Sequence, residues 1–138
     1  MKQLRLFALV AQAAVFVAAP EAHAQEFVVI VNASNPASEL SRSDVSRAFL
    51  KRASRLIAVD LDMRSAVRET FSRSVHGRSA SAILAYWQQQ IFAGKDIPPA
   101  ERSSDADVLA FVRDNPEGIG YVAAGTPLSS GVKAIQLR

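Results

Sequence analysis

The chain has 138 residues, 49% of them hydrophobic, with 16 basic and 13 acidic side chains, a net charge of +3 and no cysteine. That length suits one domain, the missing cysteines exclude disulfide and thiol chemistry, and so mild a charge without any Lys/Arg run argues against nucleic acid. At the amino terminus, Lys2 and Arg5 precede a nearly unbroken apolar run from Leu6 to Ala19. Pro20 breaks the run, and Ala22-His23-Ala24 has the small-x-small form that a signal peptidase needs. Residues 1–24 therefore read as a cleavable export signal, and residues 25–138 as one mature exported domain. The run of about 14 residues is too short to span a bilayer, although an uncleaved anchor is the competing reading. With no Cys at the cleavage site, a lipoprotein is excluded. Removing Lys2, Arg5 and Glu21 takes the charged residues to 14 basic and 12 acidic, a net charge of +2.

Glu26 to Asn32 (EFVVIVN) is a β-branched run of strand length, of the kind buried on both faces of a parallel sheet. Asn32 to Ser38 is a turn-rich loop. Ser41 is an N-cap, with Asp44 three residues on, for a helix through Val45, Ala48, Phe49 and Leu50. Leu56 to Asp60 reads as a second strand. Apolar residues every fourth position, at Val67, Phe71 and Val75, predict a helix over Arg64–Val75 that Gly77 ends. Ser79 or Ser81 opens the next helix, which runs to Phe92. Its Ala82, Leu84, Ala85, Trp87 and Ile91 predict a largely buried element, and Gly94 terminates it. Asp96 to Pro99 is an extended linker. Ser103-Ser104-Asp105 caps a fourth helix over Asp105–Asp114, and Pro116 excludes its continuation. Strands around Ile119–Val122 and Val132–Ile135 close the chain. This order predicts a three-layer αβα domain with a mostly parallel sheet.

Little in these residues suggests catalysis. There is no Ser-His-Asp set, no paired His and no P-loop glycine motif, so neither an enzyme, a metal site nor a cofactor is expected. Asp60 closes the expected strand and Asp62 follows it in the loop, and the two are expected to face opposite sides. His76, just before Gly77, is expected to support a helix carboxyl terminus. Tyr86, Trp87 and Tyr121 are expected to pack rather than to stack on a ligand. The loops after the first two strands, Asn32–Ser38 and Asp60–Ser65, both follow strand carboxyl ends and should face one cleft. Asn32, Ser34 and Asn35 could present donors there, or could serve only the turn.

The ending Asn115-Pro-Glu-Gly-Ile-Gly-Tyr-Val122, with Tyr86-Trp87 and Ile91-Phe-Ala-Gly-Lys95 upstream, resembles phosphate-type periplasmic binding proteins, and most of all their short single-lobe members. The resemblance covers the whole mature chain. Ala48-Phe-Leu-Lys51 matches a Phe-Leu-Gly-Lys element, with Lys51 on the Gly, and Ile57–Phe71 matches the region of an Arg-x-x-x-Ser-Gly-Thr motif. It implies one lobe of a type II periplasmic-binding-protein-like fold and a solute-binding role in phosphate ABC transport.

Aligned on Phe71, the motif Ser falls on Ser65, Gly on Ala66 and Thr on Val67. The Arg and Asp positions fall on Leu61 and Met63, so both are lost; Asp62 and Arg64 lie one residue away. The short members often carry an Arg where Arg68 stands. The resemblance thus implies a site for phosphate or another small oxyanion at Ser65, Ala66, Val67, Arg68 and Arg64. Helix N–H groups without internal partners, and the positive end of the helix dipole, would supply the attraction. Alternatively, Ser65 only caps a helix and both Arg side chains lie solvated. Expected partners are an inner-membrane transporter or sensor, or a second copy covering the cleft. The rival reading is a retired lobe acting as an accessory or sensory interaction module, with Met63 on its apolar interface.

Overall fold

The computed structural model describes residues 26–138, so the expected export signal and its cleavage point lie outside the described residues. Six strands form one sheet: β1 (Phe27–Asn32), β2 (Glu39–Leu40), β3 (Ile57–Leu61), β4 (Ala100–Arg102), β5 (Gly118–Ala123) and β6 (Val132–Leu137), in the order β2-β6-β1-β5-β3-β4. Four α-helices accompany them: α1 (Arg42–Phe49), α2 (Ala66–Phe71), α3 (Ala80–Phe92) and α4 (Asp105–Asp114). The expected helix over Arg64–Val75 is instead α2 followed by a π-helical turn, Ser72–His76, which Gly77 ends at φ +67°.

The sheet is mostly parallel, in three of its five pairings: β2 with β6, β3 with β4 and β3 with β5. The first strand corrects one expectation. β1 is buried as its β-branched run predicts, yet it lies antiparallel to both neighbours, β5 and β6. An apolar run reports burial on two faces and is silent about direction. β2 and β4 are edge strands of two and three residues, just after the expected loop and linker, to which the sequence assigns no element. Pieces so short carry no periodicity, and only pairing defines them.

Alternation across β5 divides the core. Gly120 turns toward α4 and Tyr121 toward the opposite layer, where Phe71 stacks on its ring at 3.8 Å between centroids and 8° between planes. Phe49 of α1 and Phe27 of β1 close around the pair, with ring centroids 4.7 and 5.4 Å from Phe71. The expected packing role of Tyr121 therefore holds, and the three layers are α4, the sheet, and α1 with α2. Trp87 is also buried, beside Ala80 and Ile83. The rest of α3 departs from expectation: Ala85 is exposed, and Leu84 and Ile91 are 37% and 52% exposed.

Caps match the sequence closely. Ser41, Ser79 and Ser104 each accept a hydrogen bond from the backbone N–H three residues on, at 3.0–3.2 Å. Lys51, standing where the resemblance has Gly, adopts φ +52°, a conformation that favours glycine.

Gly120 permits the close seating of α4. A Cβ there would lie 2.8 Å from Val108, 2.9 Å from Val59 and 3.2 Å from Val112, all side-chain carbons. Gly120→Ala should therefore destabilise the domain by about 1–3 kcal/mol, the usual cost of overpacking a filled core, read as a lower urea midpoint. An unchanged midpoint would contradict this packing.

Candidate functional site

Strand direction decides which loops meet. β3, β4, β5 and β6 point the same way, so their carboxyl ends share one edge of the sheet. That edge gathers Asp62–Ser65, Ser103–Asp105 and the turn after Ala123, together with the amino end of β1. Asn32–Asn35 follows the carboxyl end of an antiparallel strand and starts at the other edge, and the loop then runs back until Ser38 accepts from the Gln136 N–H. The expectation that the two loops face one cleft is therefore corrected.

Asn32 and Ser34 have different work. The Asn32 amide donates to the carbonyls of Val112 and Arg113, at 3.0 and 2.9 Å, and so satisfies the carboxyl end of α4. Its Oδ1 accepts from both the N–H and the hydroxyl of Ser34, at 2.9 and 2.8 Å. Asn35 likewise accepts from the Ala37 N–H at 2.9 Å. Of the two readings of this loop, turn chemistry is the one realised.

Ser65 sits at the N-cap of α2 with extended backbone, φ −79° and ψ 121°, and its hydroxyl makes no capping bond. It differs in this from Ser41, Ser79 and Ser104. Ala66 and Val67 begin the helix beside it, where N–H groups lack intrahelical partners. Just before it, Asp62 Oδ1 accepts from the Arg64 N–H at 3.0 Å, and the Arg64 guanidinium pairs with Asp62 Oδ2 at 2.7 Å. The Arg64 side chain is 82% exposed. The hydrogen bonds from Arg64 hold the Asp62 carboxyl below its usual range. Leu61 is buried in the strand and Met63 is 40% exposed, so neither position of the lost Arg and Asp carries a polar group.

Arg68, its guanidinium turned inward, corrects the expectation of a solvated side chain. It is 4% exposed. One guanidinium nitrogen donates to the Leu61 carbonyl and to Glu101, each at 2.8 Å, and the other lies 3.6 Å from Asp60 Oδ2. The Tyr121 hydroxyl donates to Asp60 Oδ1 and accepts from the Leu61 N–H at 3.3 Å. Burial pushes the Asp60 carboxyl up, and Arg68 and Tyr121 oppose that shift. Burial and the neighbouring Asp60 also push the Tyr121 phenol up, so it stays protonated as a donor. Asp60 thus faces inward and Asp62 outward: the strand ends at Leu61, so its period of two, which would put both on one face, no longer governs Asp62.

His76 also differs from expectation. Its Nδ1 lies 2.7 Å from the Ser46 hydroxyl, and its ring packs edge-on against Phe71 and Phe49. Burial, then Arg78 and Arg68, lowers its pKa to about 4, so at neutral pH it adds no positive charge to the helix end.

No family profile matches this chain, and no curated protein matches it in sequence. Solved structures do match in shape. An ABC-type phosphate transport receptor from Vibrio cholerae superposes with a TM-score of 0.62 at 17% identity, over 82% of this chain and 46% of that one. In fold, the chain is similar to phosphate transport receptors. A phosphate-bound substrate-binding protein, putatively of a phosphate ABC transporter, from Clostridium perfringens gives 0.62 at 15% identity, over 82% and 45%. A possible phosphate binding protein from Planctomyces limnophilus gives 0.59 at 14%, over 83% and 42%. The chain spans less than half the length of these proteins, which are named as a receptor and as binding proteins rather than enzymes. Among the described residues no helix is long and apolar enough to cross a membrane.

Two outcomes follow for the buried groups. Arg68→Ala leaves Asp60 buried without its cation and should cost about 3–5 kcal/mol, whereas the paired change Arg68→Met with Asp60→Asn should recover much of that loss in urea unfolding. Equal losses would show that the charges are not coupled. For His76 the folded value lies below the unfolded 6.5. The unfolded chain therefore binds the proton more readily, and stability present above pH 6.5 is lost as pH falls toward about 4. His76→Gln should flatten that part of the pH profile, and an unaltered slope would contradict the burial of a neutral ring.

Proposed function

We propose that this chain is a single binding lobe for phosphate or a similar small oxyanion. It would seat the anion at the Ser65 hydroxyl and the N–H groups of Ala66 and Val67, with Arg64 at the rim. The observation that carries the reading is the fold shared with phosphate-binding receptors, joined to an N-cap hydroxyl left free at the carboxyl end of a parallel strand. Helix-end N–H groups and the dipole favour an anion there. Arg68 enters this reading as the residue that positions the loop from beneath, and Asn32 and Ser34 leave it. Export to the periplasm, and service to an inner-membrane transporter or sensor, belong to the same proposal.

The loop also limits the affinity. Asp62 stands beside Ser65 and neutralises much of what Arg64 offers. A single lobe leaves its anion partly hydrated, where exposed charges are screened by salt. The monomer should therefore bind at roughly millimolar strength, about 4 kcal/mol, unless a second copy or another protein covers the edge.

Calorimetric titration of the chain from Gln25, which holds every described element, tests this in low-salt, phosphate-free buffer. Phosphate should bind weakly and saturably, more weakly at 0.5 M salt. Ser65→Ala should abolish the signal, and Arg64→Ala should weaken it several-fold by removing a charge-assisted contact. Nanomolar binding by the monomer, or binding that Ser65→Ala leaves intact, would overturn the proposal. No heat from folded protein would favour the interaction module.

A further inference from the structure

The carboxyl end of α3 carries an apolar tip that packing does not use. Phe92 is 95% exposed, Ile97 64% and Ile91 52%. These three lie within seven residues, and Ile91, Lys95, Asp96 and Ile97 line one shallow hollow. The tip is held rather than loose. Gly94 takes φ +64°, its N–H donates to the Ile91 carbonyl and the Lys95 N–H to the Gln90 carbonyl, both at 3.0 Å. This is a Schellman ending, and it fixes where Ile91 and Phe92 project. The usual apolar contact across such an ending is missing, because the two positions that would make it are Gln90 and Lys95.

The surroundings are basic. Lys51 reaches Asp96 at 3.8 Å, and Arg52 lies over the Tyr86 ring, 5.4 Å from its centroid. Lys95 makes no ion pair among the described residues. Lys51 and Lys95 thus stand beside Asp96, and Arg52 follows Lys51 in the chain.

We infer that this tip is a membrane-contact site, in which Phe92, Ile91 and Ile97 enter the headgroup boundary of an anionic bilayer while Lys95, Lys51 and Arg52 meet lipid phosphates. Two features select a bilayer over other apolar occupants. Three projecting side chains are far fewer than the roughly 20–30 residues a side of a stable protein interface. A fluid lipid boundary accepts a few projecting side chains without a matching pocket, and basic residues beside apolar ones are the composition that holds a segment there. A second copy of the chain fits poorly, because a two-fold contact would bring the same cations face to face.

Co-sedimentation of the chain from Gln25 with phosphatidylglycerol vesicles, and with phosphatidylcholine vesicles for comparison, tests the inference. Use of that chain keeps the apolar run at Leu6–Ala19 from binding lipid itself. The expected result is partitioning onto phosphatidylglycerol only, weakened by 0.5 M salt, reduced about tenfold or more by Phe92→Ser and several-fold by Lys95→Glu. Both side chains are exposed, so thermal melting of the variants should match the parent. No sedimentation at millimolar lipid, or sedimentation indifferent to Phe92→Ser, would overturn the inference. Retention on polyglutamate resin that Phe92→Ser weakens, without any vesicle binding, would overturn it in favour of an acidic protein partner.

Discussion

The buried contact of Arg68 with Asp60, Glu101 and the Leu61 carbonyl is the constraint on which the site edge depends. A guanidinium in the interior is tolerable only when its donors are matched, and here a strand end, a carboxylate on the same strand and a carboxylate on an edge strand match them. The contact reaches three elements at once. It ties the first turn of α2 to β3, and through Glu101 it draws in β4. Tyr121 extends the network to β5, because its hydroxyl bridges Asp60 and the Leu61 N–H while its ring stacks on Phe71 of α2. The turn from β3 into α2, which carries Asp62, Arg64 and Ser65, is thus clamped at both its ends.

That arrangement explains why the loop keeps its shape without the side chains that the resemblance expects in it. Leu61 fills the last inward position of the strand, and Met63 points outward with no polar work to do. Asp62 and Arg64 pair with each other across the bend. Under the proposed reading, charge for a bound anion would come from helix-end N–H groups and one solvated guanidinium, with a carboxylate close by. Such a loop suits a weak, exchangeable ligand better than a tight one.

Much of this was readable in the residues. Serine caps, the glycine stops after α2 and α3, and the Asn-Pro-Glu-Gly break before β5 act within a few residues of themselves, so the local pattern carries them. The period of four through Val67, Phe71 and Val75 found the buried face of α2, although the widening to a π turn at Ser72 left no trace in that period. Strand direction was not readable. Phe27–Asn32 would look the same running either way, and only its pairing with β5 shows that Asn32 and Ser65 stand at opposite edges.

Arg68 marks the other limit of sequence reasoning. An arginine three residues past a helix start is as consistent with a ligand contact as with a buried clamp. What separates the two is a pair of acceptors 33 residues away at Glu101 and eight residues back at Asp60, a coincidence that only the folded sheet creates. The apolar residues of α3 pose the same problem in reverse. Leu84, Ala85 and Ile91 read as core, and the fold leaves them at the surface because α3 meets the rest of the domain chiefly at the π turn.

Amide shifts of the isotope-labelled chain from Gln25, recorded by nuclear magnetic resonance while phosphate is added, would test the central claim most directly. The proposed site places the responding N–H groups at Ser65, Ala66 and Val67, with Asn32 to Asn35 unmoved at the far edge. Shifts concentrated at Asn32 and Ser34, or none at millimolar phosphate, would contradict it.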